Sequence, residues 1–201
     1  MKKIFLTSAG FTNKILSEAL LKELVTQPQE TSILVIAYAQ NKQEQFYVNE
    51  SKKELENLGF KRIQVLNMHN TVDIESLKKF DIVYVCGGNT FAILNKLRET
   101  KLDQFIIDTV NTGTIYVGVS AGSIIAGPDI EIAGWGSEGD KNEINLTDLR
   151  GFNLVNVAIF PHFHDDLRSE VEEFKKKVSY EVIELTNDEA VLIKNNQVER
   201  I

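Results

Sequence analysis

The chain has 201 residues, 43% hydrophobic and 25% charged, with a formal net charge of −7. That composition belongs to a folded globular domain and excludes disorder as a description of the whole. A pI of about 5.1 speaks against a nucleic-acid surface, which needs clustered Lys and Arg, and no apolar run approaches the roughly 20 residues that span a bilayer.

One cysteine cannot form an internal disulfide, and three histidines show no zinc-ligand spacing, so no metal site is expected. Met1-Lys2-Lys3 opens like a signal peptide, but the apolar stretch stops at Ser8-Ala9-Gly10, too early for one. A single cytoplasmic domain over residues 1–201 is the expectation, with no nucleic-acid or membrane partner.

In chain order, Ile4-Phe5-Leu6 predicts a buried strand that ends in a turn at Ser8-Ala9-Gly10. Thr12 or Asn13 can cap a helix whose buried stripe is Leu16, Leu20 and Leu24. Ile33–Ala37 is a second strand, apolar enough to be covered on both faces. A helix through Phe46, Leu55 and Leu58 follows and ends at Gly59. Ile63–Leu66 is a third strand, and Ile74 and Leu77 mark a short helix. Ile82–Val85 is a fourth strand that stops at Gly87-Gly88-Asn89. Helical stripes then run through Phe91, Leu94 and Leu97 and through Leu102, Ile106 and Val110, before a fifth strand at Ile115–Val119. Residues 129–151 read as a long polar loop, of a length that is often functional. Val157–Phe160 resumes the sheet, and Leu167, Val171, Phe174 and Val178 form another helical stripe. Glu189–Ile201 reads as a hairpin around Asn195-Asn196 at a sheet edge, a place where a second copy could pair to make a homodimer.

Alternating strands and helices imply parallel strands with helices on both faces. Ligands of such sheets sit beyond the carboxyl ends of the strands, which is where the chemistry-bearing residues fall. Gly118-Val119-Ser120-Ala121-Gly122 lies between a strand and a short apolar segment. A serine on so sharp a turn needs small neighbours, and it projects its hydroxyl away from the sheet. Pro161-His162-Phe163-His164 leaves another strand; His162, the nearer to it, is the better-held base for the serine, and His164 is a neighbour or substrate contact. Gly87-Gly88 lets backbone N–H groups approach an oxyanion, with Ala121 N–H as the second donor. Loop carboxylates Asp129, Glu131, Glu138, Asp140, Glu143 and Asp148 are all candidates to hold the imidazole, and spacing does not choose among them. His69 reads as a surface residue and Cys86 as a buried structural thiol.

Gly87-Gly88-Asn89-Thr90-Phe91, Gly118-Val119-Ser120-Ala121-Gly122-Ser123 and Pro161-His162-Phe163, in this order, resemble the peptidase E family of serine peptidases. That family includes alpha-aspartyl dipeptidases and, more distantly, cyanophycinases. The resemblance implies a three-layer α/β/α fold with a mostly parallel sheet, of the class I glutamine amidotransferase-like kind, with serine in place of the usual cysteine. It implies Ser120 as nucleophile, His162 as base, and Gly88 and Ala121 as oxyanion donors, with no cofactor. The acid it implies lies in the long loop, Glu138 first and Asp140 second. An amino-terminal aspartate would need a cation, for which Arg168 is the candidate; Asn89 and His164 are the other expected substrate contacts. The function so implied is hydrolysis of small peptides, with preference for amino-terminal Asp. Hydrolysis of another amide, ester or isopeptide, or a catalytically silent binding module, are the alternatives.

Overall fold

The computed structural model describes residues 2–201. The strands are β1 (Lys3–Thr7), β2 (Ser32–Ala37), β3 (Arg62–Asn67), β4 (Ile82–Val85), β5 (Ile115–Val119), β6 (Val157–Phe160), β7 (Glu181–Glu184), β8 (Ala190–Lys194) and β9 (Gln197–Arg200). The helices are α1 (Lys14–Lys22), α2 (Lys42–Asn57), α3 (Thr90–Glu99), α4 (Leu102–Asn111), α5 (Ala121–Ile125) and α6 (Arg168–Lys175). Seven strands form one sheet in the order β3-β2-β4-β5-β1-β8-β9. The first five of that order are parallel, and the β8–β9 hairpin is added antiparallel beside β1. This is the expected three-layer α/β architecture.

Alternation along each strand divides the core in two. Phe5, Val35, Tyr84, Val117 and Leu192 face a layer made by Leu16 and Leu20 of α1 and Val48 and Leu55 of α2. Leu6, Ile36, Val85, Tyr116 and Val191 face the opposite layer, where α3, α4, α5 and α6 pack. Each fully buried leucine on these stripes contributes about 1.5–3 kcal/mol through apolar burial. Asn13, Asn41 and Asn89 cap α1, α2 and α3, each accepting from a backbone N–H of the first turn. Among the described residues no helix is long and apolar enough to cross a membrane.

Four segments depart from expectation. Val157–Phe160 does not rejoin the main sheet; β6 pairs in parallel with β7 as a separate two-stranded sheet. The place beside β1 is taken by β8, so β6 buries Ala158 and Ile159 against the α5 layer instead. The region of Ile74 and Leu77 is one turn, closed by Leu77 N–H on Ile74 O at 3.0 Å. There the Ser76 hydroxyl donates to Asp73 O at 2.8 Å, giving that carbonyl a partner other than a helical N–H. Phe46 lies outside the buried stripe of α2, 57% exposed, and meets Tyr47 edge-on. Within the loop 129–151 a 3₁₀ turn spans Glu131–Gly134, and an isolated bridge joins Asp129 to Arg150.

Candidate active site

Ser120 follows β5 with φ 49° and ψ −110°, a backbone state that costs on the order of 1–3 kcal/mol for a residue with a side chain. Its surroundings hold it there. Ser120 N–H donates to Thr7 O at 3.0 Å. Ser123 Oγ donates to Thr7 O at 2.7 Å and Gly118 O at 2.8 Å, and the Tyr116 hydroxyl donates to Gly122 O at 2.7 Å. The glycines are required by contact: a Cβ on Gly118 would lie 2.6 Å from the Gly122 carbonyl carbon, and one on Gly122 would strike Val85 O. Ala121 is the first residue of α5, so its N–H has no acceptor within the helix and is free for an oxyanion.

His162 leaves β6 with φ 57° and turns its ring back over Ser120. Its Nε2 lies 2.9 Å from Ser120 Oγ, and its Nδ1 lies 2.7 Å from Asn187 Oδ1. Asn187 Oδ1 can only accept, so Nδ1 carries the proton and Nε2 is left to accept from the serine hydroxyl. Ser8, fully buried at the end of β1, accepts from the His162 backbone N–H at 2.6 Å and donates to Asn187 Oδ1 at 3.3 Å. Gly88, with φ 137°, turns the backbone at the end of β4. The neighbouring Gly87 packs so close that a Cβ there would be 3.2 Å from Ser120 Cβ.

The remaining candidates are placed elsewhere. Glu138 is not on His162: its Oε1 is 3.4 Å from His164 Nε2, and its side chain is 62% exposed. The ring position assigned to an acid is filled by Asn187. Asp140 accepts from Thr90 N–H at 2.8 Å, at the start of α3. Asn89 has both side-chain ends engaged, Oδ1 accepting from Ala92 N–H and Nδ2 donating to Lys141 O. Arg168 pairs with Asp165 at 2.6 Å and lies 5.1 Å from the Phe163 ring centroid. Cys86 is buried near Ser120, and burial pushes its thiol up to about 12, which leaves it protonated and unreactive. His69 is exposed.

Two cavities flank the serine. One, of about 230 Å³, is walled by Thr90, Trp135, Glu138, Asp140 and Glu170 beside Gly88, Ser120 and His162. The other, of about 480 Å³, is walled by Tyr38, Tyr47, Glu54 and Cys86 beside the same three residues. A serine bonded to an imidazole, on a strained strand-to-helix turn with backbone N–H groups beside it, is suited to acyl transfer.

Residues 4–201 match Peptidase family S51. The chain belongs to this family. It is 31% identical over 205 residues to the uncharacterized peptidase Lmo0363 of Listeria monocytogenes, covering 98% of this chain and 97% of that one. It is 34% identical over 125 residues to peptidase E of Escherichia coli, covering 60% of this chain and 50% of the other. A crystal structure of a Listeria monocytogenes EGD-e protein, named for peptidase E, superposes with a TM-score of 0.83 at 29% identity, covering 100% of this chain and 98% of that one. This S51 chain is thus a serine-type peptidase of the peptidase E group.

Two residues of this S51 site carry no sequence signal strong enough to find them. Ser8 stands in a strand-end turn that glycine and serine would fill for conformational reasons alone. Asn187 lies between β7 and β8, outside the long loop, and is an amide where a carboxylate is the usual partner.

Proposed function

We propose that this S51 peptidase hydrolyses small peptides through an acyl-enzyme formed on Ser120. The observation that carries it is the chain of contacts Ser120 Oγ–His162 Nε2 at 2.9 Å and His162 Nδ1–Asn187 Oδ1 at 2.7 Å. His162 takes the serine proton as Oγ attacks the scissile carbonyl. The developing oxyanion is received by the N–H groups of Ala121 and Gly88. Asn187 holds the imidazole in the tautomer that accepts from serine, as an amide does in papain-like proteases, and His162 then protonates the leaving amine. Water enters by the same base and releases the acid.

The smaller cavity, of about 230 Å³, is below the roughly 300 Å³ at which drug-sized ligand sites begin. That supports small peptides, dipeptides among them. An amino-terminal aspartate has no support from Arg168, which pairs with Asp165 and is absent from both cavity walls.

The test is covalent labelling with a serine-directed aminophosphonate, followed by peptide mapping. Label on Ser120, with Ser120→Ala slower by several powers of ten on dipeptides, supports the mechanism. Full activity in Ser120→Ala overturns it.

A further inference from the structure

Among the described residues, both cavities beside Ser120 carry carboxylate side chains and neither carries a lysine or arginine. Glu138, Asp140 and Glu170 face the smaller one, and Glu44 and Glu54 the larger, with no Lys or Arg among the wall residues of either. Asp140 and Glu170 bond to backbone N–H groups, of Thr90 and Ser137, so no side-chain cation offsets their charge there. Glu138 meets only the imidazole of His164. Lys177 lies on the Trp135 ring, 3.8 Å from its centroid, and is not part of the wall. A second observation is independent of charge. Thr90, in the same wall and 1% exposed, has a hydroxyl with no hydrogen-bond partner. A buried hydroxyl without a partner is costly, and it leaves this wall with a polar group that the described residues do not satisfy.

We propose that the smaller cavity selects peptides whose amino-terminal residue carries a cationic side chain, and rejects amino-terminal aspartate. This specificity rests on the peptidase reading of the cavity. The chain of contacts is short: the acyl residue of a peptide attacked by Ser120 extends along the wall that Thr90, Asp140 and Trp135 form. Its side chain ends between Glu138 and Glu170. An ammonium or guanidinium there meets two carboxylates; with Glu138 62% exposed, that attraction is screened by salt and is greatest at low ionic strength. A carboxylate there meets like charge and no donor cation.

The experiment uses the Ser120→Ala protein, which binds without turning over, titrated calorimetrically with Lys-Ala, Ala-Ala and Asp-Ala at low salt. Lys-Ala should bind about tenfold or more tighter than Asp-Ala, with Ala-Ala between them. Glu138→Gln, at an exposed position that leaves the fold alone, should narrow that gap, and Glu138→Gln with Glu170→Gln should reduce it to about threefold or less. Equal binding, tighter binding of Asp-Ala, or binding of none of the three overturns the proposal. Failure of the catalytic reading is seen separately, as absence of phosphonate label on Ser120 in the wild-type protein.

Discussion

Asn187 Oδ1 lies 2.7 Å from Nδ1 of His162, on the far side of the imidazole from Ser120. An amide oxygen at that place orients the ring but adds no full negative charge to balance an imidazolium. Asn187→Ala should therefore lower kcat/KM about 10–100-fold, from loss of tautomer control and ring position. Asn187→Asp should act in the opposite electrostatic sense. A carboxylate beside the ring favours its protonated form and raises its pKa. The base then becomes available only at higher pH, so the acidic limb of the kcat/KM profile should move upward. An unmoved limb in Asn187→Asp would mean that position 187 does not touch the working base.

Gly122 sets the height of the nucleophile turn. Gly122→Ala forces a methyl against the Val85 carbonyl, in a layer where β4 and α5 have no slack. The expected outcome is a loss of thermal stability, by about 1–3 kcal/mol for an overpacked site, together with loss of Ser120 labelling. Differential scanning calorimetry and the phosphonate reaction read the two effects. A Gly122→Ala protein that melts and labels like the wild type would contradict the packing described.

Cys86 stands next to Gly87 in the site but is buried, and its thiol is raised to about 12. Thiolate is then negligible at neutral pH. N-ethylmaleimide at pH 7 should leave both the thiol and the activity untouched in the folded protein, and should modify one cysteine after denaturation. Rapid labelling with inactivation of the native protein is the contrary result, measured by intact mass.

Glu23 fastens the end of α1 to the sheet. It bonds Lys194 at 2.8 Å and Lys3 at 3.1 Å, with its own side chain 14% exposed. Burial alone would raise its pKa, but the Lys194 and Lys3 contacts outweigh this and hold it below the usual value of 4.5. A carboxyl depressed in the folded state stabilises the protein at pH above its unfolded value. The contribution is lost as pH falls below about 4.5 and through the folded pKa. Glu23→Gln should cost about 1–2 kcal/mol at pH 7, and the difference from wild type should shrink toward pH 3. Urea melts at the two pH values check this.

The main sheet and the nucleophile turn were readable because each depends on local pattern. Strands β2, β4 and β5 are continuous apolar runs, and the crowding that demands Gly118 and Gly122 lies within five residues. His162 was readable for the same reason, as the residue leaving a strand. What escaped depended on distant pairing. Val157–Phe160 has the same apolar pattern whether it joins β1 or β7, and only β8 taking the place beside β1 decides it. Asn187 reaches His162 because the small β6–β7 sheet brings their two loops side by side. Its own neighbourhood, Thr186-Asn187-Asp188-Glu189, looks like an ordinary turn. A carboxylate is the usual partner of such a ring, and the loop carboxylate Glu138 is in the cavity wall but on His164.

Ser8 follows β1, Ser120 follows β5, His162 follows β6 and Asn187 precedes β8, so the four bonded residues are spread widely along the sequence. Because chains emerge amino-terminus first, one synthesised only as far as the long loop already carries Ser120 but has neither His162 nor Asn187. On the acyl-enzyme reading, the groups that would make the serine a nucleophile are thus the last to be synthesised.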